Sequence, residues 1–336
     1  MLIGKTLQII DSHTAGMPTR IITSGVPPLG GDTMVEKAVY FSEHYDHLRT
    51  AVFHEPRGLM RGVGALITEP CRPEADLGLF FMDSTYKWLP MCGHGSIGVI
   101  TAALDFGLVP VKGKTTTVVL DTPAGLVTGS AEITDGAVTA VSIQNVASFV
   151  FTSTDLEISG LGTVPAVVAF GGNFYAIVNS ESLGISVAPA NLKRLCDLAT
   201  LIKQAANHQI PVKHPNKPIS TIDAVRFCNK PSSDGSHIKN VVIFAEGEKG
   251  IDRSPCGTGT SAHLAALYAN KRISLGQETI HESIIGTTFR ARALSETQIN
   301  GWPAIIPEIT ATAYTMGINT VVLSPNDPMK RGFLIV

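Results

Sequence analysis

One short pattern occurs twice in this 336-residue chain. Met91-Cys92-Gly93-His94-Gly95-Ser96-Ile97-Gly98 opens one apolar, alanine-containing stretch, and Pro255-Cys256-Gly257-Thr258-Gly259-Thr260-Ser261-Ala262 opens another. Both read Cys-Gly-x-Gly-(Ser/Thr) ahead of a helical segment. Their cysteines are 256 − 92 = 164 residues apart, close to half the chain. A repeat on that scale predicts two homologous halves, each presenting a cysteine at a helix start. The length agrees, since single domains usually hold roughly 100–200 residues.

Short β-branched or aromatic runs bounded by Gly, Pro, Asp or Asn predict strands at 7–11, 20–23, 64–67, 77–82, 116–120, 138–144, 164–170, 175–178, 240–244 and 320–323. Helices are expected at 90–106, 190–207 and 257–271, and another at 32–47, where Tyr40, Phe41 and His44 fall at helical spacing. Strands outnumber helices, so a mixed α/β (α+β) protein is expected rather than a doubly wound one.

The chain is 44% apolar and 16% charged, with 26 Lys and Arg against 28 Asp and Glu, a formal net charge of −2. So apolar a chain can fill packed cores and is not disordered. Without a block of basic residues it lacks the footprint of a nucleic-acid or anionic-membrane binder. Apolar runs such as 166–170 fall far short of the ~18 residues of a membrane span, and the N-terminal residues have no continuous apolar signal core. The five cysteines, Cys71, Cys92, Cys196, Cys228 and Cys256, include no C-x-x-C pair, which points away from a disulfide framework or zinc ribbon. A cytoplasmic protein with reduced thiols and no metal is expected.

A cysteine leading into a helix has a physical meaning. The first backbone N–H groups of a helix lack internal partners and the macrodipole is positive there. Such a site favours a thiolate and binds a carboxylate. Gly93, Gly95, Gly257 and Gly259 leave the backbone bare, so a small ligand can approach closely. If the two helix starts face one cleft, an amino acid can rest its carboxylate on both and its Cα between two sulfurs. One thiolate then removes the α-proton from one face while the opposite thiol protonates the other, which is inversion by two bases. The helix-start donors would stabilise the enolate-like charge.

Other readings of these residues explain less. Cys71, Cys196 and Cys228 read as small core hydrophobes. Gly257-x-Gly259-x-x-Ala262 resembles part of a dinucleotide fingerprint, but residues 251–256, directly before it, are not a strand. Cys92-x-His94 does not face one metal from a helix, and a Cys–His hydrolase pair leaves the second motif unexplained.

The chain resembles the proline racemase family, and more distantly diaminopimelate epimerase. The resemblance rests on Asp11-Ser12-His13-Thr14-Ala15-Gly16, Glu55-Pro56-Arg57-Gly58, the Cys92 motif, Asp121-Thr122-Pro123-Ala124-Gly125, Phe170-Gly171-Gly172-Asn173-Phe174-Tyr175-Ala176-Ile177, and the segment from Asp252 through the Cys256 motif. It implies a cofactor-independent homodimer with two pseudo-symmetric halves, each a strongly curved mixed sheet around a central helix. Those halves are expected at 1–136 with about 318–336, and at 137–317, with the active site in the cleft between them.

By the same resemblance, Cys92 and Cys256 are the two bases. Gly93, His94, Gly95, Gly257 and Thr258 hold the substrate carboxylate, and Asp252 pairs with its nitrogen. The His94 side chain is open between packing and substrate contact. Trans-3-hydroxyproline dehydratases of this family replace the second cysteine by threonine, so Cys256 favours inversion over dehydration; a non-catalytic amino-acid binder is a third reading. Proline racemases carry an aromatic residue where this chain has Val63, and hydroxyproline epimerases resemble it in having Val there. Phe244 is the retained aromatic wall, while Leu59 departs from the usual histidine. Proline and 4-hydroxyproline are the expected substrates.

Overall fold

The computed structural model describes residues 4–58, 62–216, 219–230, 232, 236–244 and 250–335. By its own contacts the chain divides into two compact units, Met1–Ile143 with Thr312–Val336, and Gln144–Ala311. The boundaries therefore fall at 143 and 312 rather than at the expected 136 and 318.

In the first unit β1 (Lys5–Thr14) and β2 (Met17–Ser24) form a hairpin. Helices α1 (Met34–His44) and α2 (Asp46–Phe53) follow, then β3 (Val63–Thr68), β4 (Leu77–Met82), α3 (Gly93–Asp105), β5 (Thr115–Thr122), β6 (Gly125–Thr134) and β7 (Ala137–Gln144). In the second unit come β8 (Phe149–Ile158), β9 (Gly162–Phe170), β10 (Phe174–Asn179), α4 (Leu192–Gln209), β11 (Ile222–Cys228), β12 (His237–Ile243), α5 (Gly257–Ala269), β13 (Thr279–Glu282), β14 (Thr288–Ile299) and β15 (Trp302–Ala311). The chain then returns to the first unit as β16 (Ala313–Leu323), which pairs antiparallel with β1.

The internal repeat extends well beyond the cysteine motifs. The first sheet runs β16-β1-β2-β3-β4-β5-β6-β7, and the second, read the same way, runs β8-β9-β10-β11-β12-β13-β14-β15. Parallel pairs recur at matching places: β2 with β3 and β4 with β5 in the first, β10 with β11 and β12 with β13 in the second. The Cys92 helix α3 follows β4, and the Cys256 helix α5 follows the equivalent β12.

Each sheet curves around its cysteine-bearing helix. Helix α3 touches β1, β2, β3, β6 and β16, and α5 touches β8, β9, β10, β14 and β15, strands from both ends of its sheet. Accordingly Gly93–Leu104 of α3 are all buried, as is nearly all of α5, because a helix that is apolar all round is a core helix. The opposite sheet faces carry α1 and α2 in one unit and α4 in the other. Period-two alternation decides which residue meets which layer. In the second unit Phe174, Val225, Phe227, Val241 and Ile243 join the core cluster with Leu195, Ala199 and Ile202 of α4. Tyr175, Arg226 and Val242, one position over, face α5.

Two departures from expectation have local causes. The single helix expected at 32–47 is two, broken at Tyr45 (φ −128°, ψ 14°), and its start is fixed by a capping box between Thr33 and Glu36. Strands β6, β8, β11, β13, β14 and β15 were not expected. Strand β15 holds two prolines, and Pro307 sits opposite Ala293 while its carbonyl accepts from Asn145 N.

Candidate active site

Cys92 caps α3 in extended conformation (φ −143°, ψ 119°), and its carbonyl takes the first helical bond from Ser96 N at 2.8 Å. Its Sγ lies 3.4 Å from His94 Nδ1 and 3.8 Å from Nε2, so the histidine ring is folded back against the sulfur. The Thr14 hydroxyl on β1 donates to the His94 carbonyl at 2.8 Å and pins this turn to the sheet. At Gly95 a side chain would begin 2.6 Å from the Phe81 ring, so this glycine permits the helix to sit on β4. Gly93 is the first helical residue. Val63 opens β3 opposite Thr19 of β2 and is half-buried. Leu59 lies outside the described residues.

Cys256 is held under strain. Its φ of +67° with ψ of 110° lies in a region that non-glycine residues rarely occupy. Such a conformation costs about 1–3 kcal/mol and persists only where neighbours over-determine it. The neighbours here are explicit. Cys256 N donates to Ser254 Oγ at 3.1 Å, and that hydroxyl donates to Asp252 Oδ1 at 2.8 Å. The Pro255 carbonyl accepts from Arg226 Nη1 at 2.9 Å and from Thr260 Oγ1 at 3.2 Å. Gly259 N donates to Cys256 Sγ itself at 3.4 Å.

The Cys256 thiol faces a polar cluster. Tyr175 OH lies 3.7 Å from Sγ, Thr258 Oγ1 lies 3.7 Å from it, and the two oxygens are 2.6 Å apart. The Phe244 ring stands edge-on to Tyr175 with centroids 6.0 Å apart. Gly257 and Thr258 are the first two residues of α5. Gly171 passes so close beneath them that an added side chain would start 2.2 Å from the Thr258 carbonyl. Thus Cys256, Thr258, Asp252 and Phe244 form one neighbourhood, as Cys92 and His94 do in theirs.

The expected lowering of a thiol pKa at a helix start is not met at Cys256. Burial, with the Asp252 charge adding to it, pushes this thiol up to about 12, against opposition from Gly259 N–H, Arg226 and Tyr175. Burial and the neighbouring cysteine likewise raise the Tyr175 phenol well above its ordinary value, so it stays protonated. Desolvation thus outweighs the helix dipole here.

Three residues beside Cys256 had no assigned role in the sequence reading. Tyr175 lies in the Phe170–Ile177 segment, where a tyrosine in an otherwise apolar buried strand signals that its hydroxyl needs a partner. Ser254 lies between Asp252 and Cys256. Arg226 interrupts Ala224-Val225-Arg226-Phe227, and its strand was not recognised. Among the described residues no group of three or more His, Cys, Asp or Glu is placed to hold a metal, and no helix is long and apolar enough to cross a membrane.

Comparison with known proteins gives a consistent result. The family described as "Proline racemase" matches residues 9–334. A proline racemase from Clostridioides difficile is 41% identical over 337 residues, covering all of both chains. A trans-3-hydroxy-L-proline dehydratase from Bacillus thuringiensis subsp. konkukian is 38% identical over 336 residues, again covering both chains completely. A solved hydroxyproline epimerase from Agrobacterium vitis, with bound trans-4-hydroxy-L-proline, superposes with a TM-score of 0.88 at 33% identity, covering 100% of this chain and 96% of its own.

Proposed function

The chain belongs to the proline racemase family, and on that premise we propose that it inverts the α-carbon of proline and 4-hydroxyproline with Cys92 and Cys256 as its two bases. The observation that carries this reading is the paired cysteine: each unit buries one helix, and each of those helices begins at a cysteine. In this reading the sulfurs address opposite faces of one substrate carbon. The backbone N–H groups of Gly93, His94, Gly95, Gly257 and Thr258 hold the carboxylate, where helix dipoles favour an anion, and Asp252 takes the substrate ammonium.

Each turnover needs one thiolate and one thiol. Because the reaction runs in both directions, each cysteine takes each part: the thiolate on one face removes the α-proton of one enantiomer while the thiol on the other face supplies the replacement. After inversion the protonation states are exchanged and solvent resets them. Neither step calls for a cofactor. Val63 leaves room beside the ring for a 4-hydroxyl and Phe244 supplies an apolar wall; a pocket with apolar walls rejects an added hydroxyl only weakly, so both substrates are accepted. The protein acts as a cytoplasmic homodimer in this reading.

The 38% identity to a dehydratase favours one alternative, elimination of water from a 3-hydroxyproline by Cys92 alone. Incubation with L-proline, trans-4-hydroxy-L-proline and trans-3-hydroxy-L-proline separates the two. Loss of optical rotation from L-proline, with conversion of trans-4-hydroxy-L-proline to its cis-4-hydroxy-D epimer, supports inversion. A ketone-reactive imine from the third, undiminished in Cys256→Ser, would replace inversion with dehydration.

A further inference from the structure

Arg226 is a fully buried arginine in the described structure. It lies on the α5 side of β11, where Nη1 donates to the Pro255 carbonyl at 2.9 Å and Nη2 to His281 Nδ1 at 3.0 Å, while Nε has no partner. An arginine guanidinium keeps its proton in proteins, so a whole charge is buried here. No carboxylate among the described residues stands within ion-pairing distance of it.

Its histidine neighbour cannot offset that charge. Thr279 Oγ1 donates to the Ala291 carbonyl at 2.9 Å and lies 3.1 Å from His281 Nε2, so Nε2 carries the ring proton and Nδ1 is the acceptor facing Arg226. Burial and the Arg226 charge hold His281 neutral, and burial does the same for His263. A buried cation supported only by neutral dipoles is unfavourable unless an anion shares the site.

Two thiols are near enough to take that part: Cys228, which meets the guanidinium on the far side and is raised by burial in spite of it, and Cys256 at the helix start. A side chain started at Gly259 would be 3.2 Å from Cys256 Sγ and 3.3 Å from Arg226 Nη1, so sulfur and guanidinium flank a single point. We propose that Arg226 is a positioning residue that serves as the standing counter-charge of the Cys256 thiolate, making that thiol ionisable at a site which otherwise suppresses its charge. The other groups around Cys256 are Asp252, whose charge opposes ionisation, Tyr175, which stays a phenol, and Arg253, whose Nη1 donates to the Ile251 carbonyl. His281, His263 and Cys228 lie beyond Arg226 along the α5 face. The equivalent strand of the first unit, β3, carries no charged residue. Only the catalytic use of the thiolate rests on the reading under Proposed function; the ionic coupling does not.

The test is the rate of iodoacetamide alkylation between pH 7 and 10, resolved by peptide mass at Cys256 and Cys92, without substrate. At about 6 Å and an effective dielectric near 20, loss of the charge raises the thiol pKa by about one to two units. Part of the lost thiolate is compensated by its greater nucleophilicity, so Arg226→Met slows Cys256 about 3- to 10-fold at each pH. Cys92 is unchanged, and Arg226→Lys restores most of the rate. Where Arg226→Met does not fold, His281→Glu sets a carboxylate against the intact guanidinium and slows Cys256 likewise, whereas His281→Gln does not. An unchanged Cys256 rate in folded Arg226→Met or His281→Glu, or equal losses in Arg226→Met and Arg226→Lys, overturns the proposal. Racemisation surviving in Cys256→Ser would instead overturn the two-base reading and leave this coupling to be judged by its own alkylation rates.

Discussion

Tyr175 places its phenolic oxygen 2.6 Å from Thr258 Oγ1, and both oxygens lie 3.7 Å from Cys256 Sγ. A strand residue and a helix-start residue thereby bracket one sulfur from two directions. Replacing Tyr175 by Phe removes the bond that holds the Thr258 hydroxyl and one of the influences that favour the thiolate. Loss of one hydrogen bond of about 1 kcal/mol corresponds to roughly fivefold to tenfold in rate. Tyr175→Phe is therefore expected to lower kcat by about that factor with a nearly unchanged melting temperature. Steady-state kinetics equal to wild type would show that the phenol is only a core side chain.

Val63 is assigned here the role of leaving space beside the substrate ring. Val63→Phe fills that space, and its predicted effect is a change of preference rather than a general loss. The ratio of kcat/KM for L-proline to that for trans-4-hydroxy-L-proline should rise about tenfold or more, within the range that steric changes in an apolar pocket produce. An unchanged ratio removes Val63 from the specificity wall.

Acid stability carries the signature of the buried histidines. Burial lowers the His263 pKa from its ordinary value to about 3, and His281 is depressed as well. The unfolded chain therefore binds these protons more readily than the folded one. Their contribution is present above the unfolded value near 6.5 and is lost as pH falls from there toward 3. Melting temperature should decline over that interval, and His263→Gln, which has no ring to protonate, should show a shallower decline. Parallel curves for the two proteins would contradict this.

The repeat of Cys-Gly-x-Gly-(Ser/Thr) was legible because its chemistry is local: a helix start needs a cap and small residues, and these are contiguous in sequence. From it followed the two halves and the buried helices α3 and α5. Arg226 was not legible for the opposite reason. Its partners, Pro255 and His281, come from a loop and another strand, so no local pattern in the sequence joins them. Strand β15 was hidden by Pro303 and Pro307, whose missing N–H groups count against a ladder only when the pairing pattern is known. The Cys256 pKa went the wrong way because sequence shows the helix dipole but not the depth of burial that opposes it.

The central claim is that two thiols divide the work, one on each face of the α-carbon. Its most direct test follows L-proline in D2O under initial-rate conditions, measuring deuterium separately in D-proline formed and L-proline remaining, for wild type, Cys92→Ser and Cys256→Ser. The account predicts deuterium in the product, little in the unreacted substrate, and a loss of about 10²- to 10⁴-fold in each serine variant. Deuterium returning to unreacted L-proline as fast as D-proline forms, or full turnover in either variant, would contradict it.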